Sequence, residues 1–269
     1  MTTPADDRFD DPMTLDSDLR DLALAAAHAG SYAILRELRL GSVEVNSKAH
    51  AADFVTSADK AAEQAILRLI RAARPHDAIL AEESGVHAGE SGVRWLVDPL
   101  DGTMNFVHRR GDYAVSVGVE RDGQVVAGAI VRPADGEWAT AGGGEAFGRS
   151  VTPRVSAATD IGDALIGIGL PSGLEQRLRV QAFVSDLMHH IRDYRRSGSS
   201  ACELLSVALG SQEGYLGFGV NLWDVAAGIA LVHAAGGSCQ WVTTESGMDV
   251  LVAGTPAVTQ ALVGMVKVI

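Results

Sequence analysis

The chain has 269 residues, 47% apolar and 21% charged, the balance of a folded globular protein. Its formal charge is −12, from 22 Lys and Arg against 34 Asp and Glu, so most of its surface repels nucleic acid and anionic lipid, and a phosphorylated ligand needs local cations. Two cysteines speak against a disulfide scaffold or a thiolate metal site, and no apolar run approaches the ~20 residues that span a bilayer.

The start, MTTPADDRFDDPM, is acidic and lacks a basic stretch followed by an apolar one. Residues 1–15 therefore read as a disordered tail, and the protein as cytoplasmic. Asp16 or Ser17 then caps a helix of about 22 residues. Its apolar stripe is Leu19, Leu22, Ala23, Ala26, Ala27, Ile34, Leu35 and Leu38, and Gly41 ends it. A polar stretch leads to a short extended piece and a second helix. Ser57 is the expected cap, Ala61, Ala65, Ile66, Leu69 and Ile70 the stripe, and Pro75 the stop.

AILAEES is a short strand ending in acids, and RWLVDPLDG repeats that design, with Asp98 and Asp101 just past the strand end. YAVSVGVERDGQVVAGAIVRP is a hairpin turning at Asp122-Gly123. EWATAGGGEAFG reads as a further strand with a glycine turn, and GRSVTPRVS as another edge. Residues 16–155 thus form an α+β domain, helices on an antiparallel sheet. From about Asp160 the pattern changes. ALIGIGLP is a strand, 174–191 a helix, DYRRSG a link, SACELLSVALGS a helix and EGYLGFG a strand. WDVAAGIALVHAAGG is a helix with a glycine stop, followed by GSCQWVT, DVLVAG and a last helix. Residues 156–269 read as an α/β layer domain.

Seven acids stand at element ends beside apolar residues: Asp53, Asp59, Glu82, Glu83, Asp98, Asp101 and Asp224. Buried acids are costly unless paired or metal-bound. Asp98 and Asp101 flank Pro99, so their side chains and the Leu100 carbonyl offer oxygens suited to a hard cation such as magnesium. The bland alternative is a capped turn with Asp101 as N-cap. Gly102, Thr103 and Asn105 open a helix whose first N–H groups can receive phosphate oxygens, and Gly198 to Ser200 precede another. Lys48, Arg195 and Arg196 are candidate cations. No G-x-S-x-G elbow and no H-E-x-x-H array is present. His108 then reads as an anchoring or surface residue, and Cys202 as core.

The chain resembles the inositol monophosphatase superfamily of magnesium-dependent, lithium-sensitive phosphatases. DPLDGTMNF (Asp98 to Phe106), AEESG with Glu82 first, Trp223-Asp224 followed by VAAG, and Lys48, Asp53, Val55, Thr56 and Asp59 carry the likeness, which spans roughly residues 20 to 265. It implies a layered α-β-α-β-α sandwich of the inositol monophosphatase / fructose-1,6-bisphosphatase type. It implies a phosphomonoesterase for a small sugar or polyol phosphate, inositol monophosphate first, working by metal-activated water. Histidinol phosphate, fructose 1,6-bisphosphate and 3′-phosphoadenosine 5′-phosphate are the alternative substrates, and a non-catalytic binding protein a remote one.

Carried over by motif, Glu82, Asp98, the Leu100 carbonyl, Asp101 and Asp224 would hold two or three Mg²⁺ ions. Glu82 and Thr103 would position the attacking water, with Asp59 behind Thr103. Asp101, Gly102, Thr103, Gly198, Ser199, Ser200 and Asp224 would contact the substrate. A homodimer is implied, with no nucleic-acid or membrane partner. One departure bears on substrate. The family's inositol-contacting glutamate lies seven residues before the W-D aspartate, where this chain has Gly217. Glycine cannot accept hydrogen bonds from a polyol, so selectivity for inositol should weaken. Glu213 is a partial substitute at most.

Overall fold

The structure is a computed structural model and describes residues 12–41, 44–47 and 54–267. The tail to residue 11, Lys48 and Asp53 lie outside the described residues. Seven helices and fourteen strands are formed by the described residues, arranged as five layers.

The outer layer is α1 (Pro12–Leu40) and α2 (Ser57–Ala73). Helix α1 starts at Pro12, four residues before the expected cap. Asp16 and Ser17 are engaged otherwise: Asp16 pairs with Arg121, and Ser17 Oγ donates back to Met13 O. Leu19, Ala23, Ala26, Ala27 and Ile34 are buried as expected, whereas Leu38 is exposed. The N-cap of α2 is Thr56 rather than Ser57. Its side chain accepts from Ala58 N and Asp59 N, while Asp59 Oδ2 accepts from Thr56 N. That reciprocal capping sets the helix one step off the expected phase. Ala58, Ala62, Ile66, Leu67 and Ile70 are buried, and Ala61, Ala65 and Leu69 are half-buried.

These helices cover a seven-stranded sheet, ordered β4-β3-β5-β6-β7-β8-β9. Its strands are β3 (Ala78–Ala81), β4 (Gly85–His87), β5 (Val93–Asp101), β6 (Ala114–Arg121), β7 (Gln124–Val131), β8 (Trp138–Gly142) and β9 (Glu145–Gly148). The sheet is not wholly antiparallel: β3 runs parallel to β5. Residues 149–156, expected as an edge, form no strand. A small antiparallel pair, β1 (Val45–Ser47) with β2 (Phe54–Thr56), precedes α2.

The second sheet is ordered β11-β10-β12-β14-β13, from β10 (Leu165–Gly169), β11 (Asp193–Arg195), β12 (Gly214–Phe218), β13 (Ser238–Thr243) and β14 (Asp249–Gly254). The expected link DYRRSG contributes β11, a short edge strand parallel to β10. Accordingly α4 (Leu174–Leu187) ends earlier than expected, so that the chain can turn back to that edge. It shares the outer face of this sheet with α7 (Pro256–Val266).

Between the sheets lie α5 (Ser200–Ala208) and α6 (Leu222–Ala234). Three apolar clusters fill the interlayer spaces. The outer two are built on Ile, Leu, Val and Trp95, while the middle one is rich in alanine. The small residues have a geometric purpose. Gly118 and Gly128 are register partners on β6 and β7. A Cβ on either would come within 2.6 Å of Ala226 or Ala227 of α6. Only glycine allows so close an approach, and it sets the N-terminus of α6 beside the end of β5. Ser116, paired with Asp98 across the ladder, donates to the Trp223 carbonyl at 3.3 Å and ties that terminus down. No described helix is long and apolar enough to cross a membrane.

Candidate active site

The parallel strands β3 and β5 end side by side. Glu82 follows β3, and its N–H donates to Val97 O at 3.0 Å, so it emerges next to Asp98. Strand β5 does not stop at Asp98. It continues to Asp101 through a bulge: Asp98 faces Ser116 and Asp101 faces Ala114, three steps against two. Pro99, which has no N–H to place in a ladder, occupies the bulge. Asp98 Oδ1 accepts from Leu100 N at 3.0 Å, which fixes its carboxylate toward the extra residue. Gly102 follows at φ 88°, and a Cβ there would lie 2.7 Å from Asp112 O. A side chain at this turn is both strained and obstructed.

Thr103 opens α3 (Thr103–Val107). Its hydroxyl lies 2.9 Å from Leu100 O and 3.2 Å from Asp59 Oδ1, with Asp59 as acceptor. The other Asp59 oxygen accepts from Thr56 N and Thr56 Oγ1 at 2.8 and 2.6 Å. One aspartate thereby caps α2 and holds Thr103.

The second half of the chain supplies the facing wall. Asn105 Nδ2 donates to Asp112 O and Ser197 O at 2.7 and 2.9 Å, fastening the turn before α5 to α3. Ser199 Oγ and Ala201 N both donate to Asp101 Oδ2 at 2.6 Å. Glu203 Oε1 accepts from Ser197 N at 2.7 Å. Asp224 stands in the first turn of α6, where its Oδ2 accepts from Asn221 N at 2.9 Å.

These elements enclose a cleft of about 320 Å³. Glu82, Asp98, Leu100, Asp101, Thr103, Gly198, Ser199, Ser200 and Asp224 all line it. Two expected residues stand one link behind the wall: Asp59, bonded to Thr103, and Gly102, which forms the turn. Arg196 lines the cleft, but Arg195 is turned to Asp193. His108 is exposed at the end of α3. Cys202 is buried and its thiol is pushed up to about 12 by burial, which rules it out as a nucleophile at neutral pH. Glu83 does not line the cleft, and its N–H donates to Glu63. Asn105, expected at the opening of α3, ties that helix to the turn before α5, whereas nothing in the sequence marked Arg177, Glu203, Tyr215 or Asn221 as parts of this region, since none belongs to a motif defined by charge or spacing.

The electrostatics are those of acids forced together. Burial first, then the charges of Glu82, Asp101 and Asp224, push the Asp98 carboxyl well above the carboxylate range. Glu82 is near enough to share a hydrogen bond with it. Burial pushes Asp101 up to about 7, against the hydrogen bonds from Ser199 and Ala201. Burial and the charge of Asp101 push Asp224 up to about 8. Burial also raises Asp59, over the opposing hydrogen bonds from Thr56. Among the described residues no Lys or Arg forms an ion pair with Asp98, Asp101 or Asp224.

The donor set is all oxygen, four carboxylates and the Leu100 carbonyl, which suits a hard divalent ion and not a soft one. Among the described residues no three His, Cys, Asp or Glu side chains are closed on one point as a finished cage. The fit to a cation rests instead on the oxygen chemistry of the shared cleft and on its raised acids.

Known proteins resemble the chain along most of its length. A model of the Inositol monophosphatase family matches residues 16–264. An Inositol-1-monophosphatase of Mesorhizobium japonicum is 39% identical over 223 residues, 80% of this chain and 83% of that one. A protein of Salmonella typhimurium named Nus factor SuhB is 33% identical over 252 residues, 91% of this chain and 94% of that one. The crystal structure of extragenic suppressor protein suhB from Bartonella henselae superposes with a TM-score of 0.84 at 32% identity, covering 93% and 98% of the two chains.

Proposed function

The chain belongs to the inositol monophosphatase family, and from that membership we propose that it is a magnesium-dependent phosphomonoesterase for a small sugar or polyol phosphate, with inositol monophosphate the first compound to test. The observation that carries this reading is the meeting of Glu82, Asp98, Asp101 and Asp224 from three separate stretches of chain in one cleft, each within the electrostatic field of the others. A solvated acidic surface would not bury Asp98 to 2% exposure.

Glu82, Asp98, the Leu100 carbonyl, Asp101 and Asp224 would hold magnesium. When bound, magnesium supplies positive charge where the phosphoryl group gains negative charge and makes water a stronger acid. The chain's own groups do the rest. The carboxylate of Glu82 and the hydroxyl of Thr103 line the same cleft and hold a water between them. Thr103 directs its proton toward Asp59 or the Leu100 carbonyl, which leaves an oxygen lone pair to accept from that water. Asp59 is fixed from behind by two hydrogen bonds from Thr56, so the threonine cannot rotate freely. On the facing wall Ser199 keeps Asp101 in place, and Gly198 to Ser200 offer a polar edge to the phosphate and leaving group.

Histidinol phosphate, fructose 1,6-bisphosphate and 3′-phosphoadenosine 5′-phosphate are the alternative substrates. The same membership supports a homodimer and a phosphorylated small-molecule partner. The relatives named Nus factor SuhB raise a second reading, a binding role on this fold. That role predicts an eroded carboxylate set, whereas every expected position is filled here. The test is phosphate release from myo-inositol 1-phosphate and the three alternatives, with magnesium and with a chelator. Release from at least one ester is expected, falling more than about a hundredfold on chelation. No release from any, or release that persists without divalent ions, contradicts the proposal.

A further inference from the structure

The two ends of the cleft differ in chemistry. The inner end is carboxylate. The outer wall, from the loop after β10, the first turns of α4 and α5, and strand β12, presents hydrogen-bond donors and positive charge.

The first observation concerns Gly217, register partner of Gly169. Tyr215 and Gly217, two apart on β12, share a face of the sheet. A Cβ at 217 would lie 2.8 Å from Tyr215 Cε1 and 3.0 Å from its hydroxyl, and a Cβ at 169 would also collide with that hydroxyl. The tyrosine ring therefore lies across both glycines and takes the space an acidic side chain at 217 would need. Its hydroxyl donates to Ser200 Oγ at 2.8 Å. Because Ser200 accepts from the tyrosine, its own proton is free to point into the cleft it lines. Where an acid would accept from a polyol, this wall donates.

The second observation is independent. Arg177 and Arg196 both line the cleft. Arg177 Nε donates to Pro171 O at 2.7 Å, which holds the guanidinium plane, and among the described residues its two terminal nitrogens have no hydrogen-bond partner. Among the described residues neither arginine has a carboxylate partner. Three arginines nearby do: Arg179 with Glu175, Arg192 with Asp163 and Arg195 with Asp193. In a chain of charge −12, two arginines left unpaired on one wall mark a place for an external anion.

We propose that Arg177, Arg196 and Ser200 form a subsite for a second anionic group, carboxylate or phosphate, carried on the leaving group of the substrate. The proposal rests on the phosphomonoesterase reading and narrows its substrate class to phosphorylated sugars or sugar acids with a second negative charge.

The test uses ester pairs matched except at the far end: 6-phosphogluconate against glucitol 6-phosphate, and fructose 1,6-bisphosphate against fructose 1-phosphate. The first pair reads a carboxylate and the second a phosphate. In magnesium, kcat/KM favours the doubly anionic member of at least one pair by about tenfold, through KM. Arg177→Met with Arg196→Met brings that ratio close to one. If the double variant does not fold, the exposed Arg196→Met alone still lowers the ratio about threefold. A wild-type ratio near one in both pairs overturns the subsite, as does a ratio that survives these substitutions. If wild type hydrolyses no ester, the phosphomonoesterase reading falls. Calorimetric titration of the same pairs in magnesium then decides the subsite. An arginine-dependent preference supports it, and equal affinities overturn it.

Discussion

Asp98→Asn lowers kcat/KM for phosphate release more than about a hundredfold while leaving the metal-free protein at neutral pH as stable as wild type or more so. The two halves of this result have one cause. Asparagine keeps the side-chain oxygen that accepts from Leu100 N at 3.0 Å, so the bulge after Val97 retains its shape. What is lost is the charge, which is buried and opposed by those of Glu82, Asp101 and Asp224. Removing one member of a repelling set relieves strain in the absence of a cation and removes a ligand in its presence. Assay of phosphate release and a melting curve on the same preparation check both. A variant that unfolds would make Asp98 a structural residue, and one that remains active would remove it from the reaction.

Thr103→Val is the second large effect, a fall in kcat of about 10²–10⁴ with KM changed only a few-fold. The substitution keeps the shape of the side chain and deletes the hydroxyl that links Asp59 Oδ1 to the cleft. Asp59 retains its two bonds from Thr56, so α2 stays capped. One buried carboxylate oxygen loses its donor, at a cost to stability of about 1–3 kcal/mol. Steady-state kinetics separate the roles. A rise in KM at constant kcat would make Thr103 a substrate contact and not a residue that positions water.

The layered fold was legible where local pattern decides structure. The Asp122-Gly123 turn joins β6 to β7 as read, with both residues at positive φ. The helices that follow the W-D and RRSGSS stretches also stand where the pattern put them. Boundaries set by tertiary partners were not legible. Asp16 left its expected cap for Arg121, a residue 105 positions away. Strand β11 exists because β10 offers an edge, which DYRRSG alone does not announce. The bulge that carries Asp98 and Asp101 needs the register of β6 to be seen.

The same division holds at the site. Acids in compact motifs identified themselves, because type and spacing are local. Asn105 and Glu203 fasten the Ser197–Ser200 turn through contacts that no motif encodes. Arg177 is one helix arginine among several until the structure shows that it lacks a carboxylate and Arg179 does not. Tyr215 acquires meaning only through the two glycines under its ring.

The central claim is that the cleft acids are held together for a divalent cation, and melting temperature against pH, with and without magnesium, tests it most directly. Burial holds the Asp101 and Asp224 carboxyls up to about 7 and about 8 in the folded chain, against the ordinary aspartate value of 3.8. Between those limits the folded chain binds more protons than the unfolded one. The stability that these two groups contribute is full below about pH 3.8 and is lost as pH rises through 7 to 8. Metal-free protein should therefore melt lower at pH 8.5 than at pH 5.5. Millimolar magnesium should restore the loss at pH 8.5 and change little at pH 5.5, where protons hold the sites. A melting temperature at pH 8.5 that magnesium does not move would contradict the account.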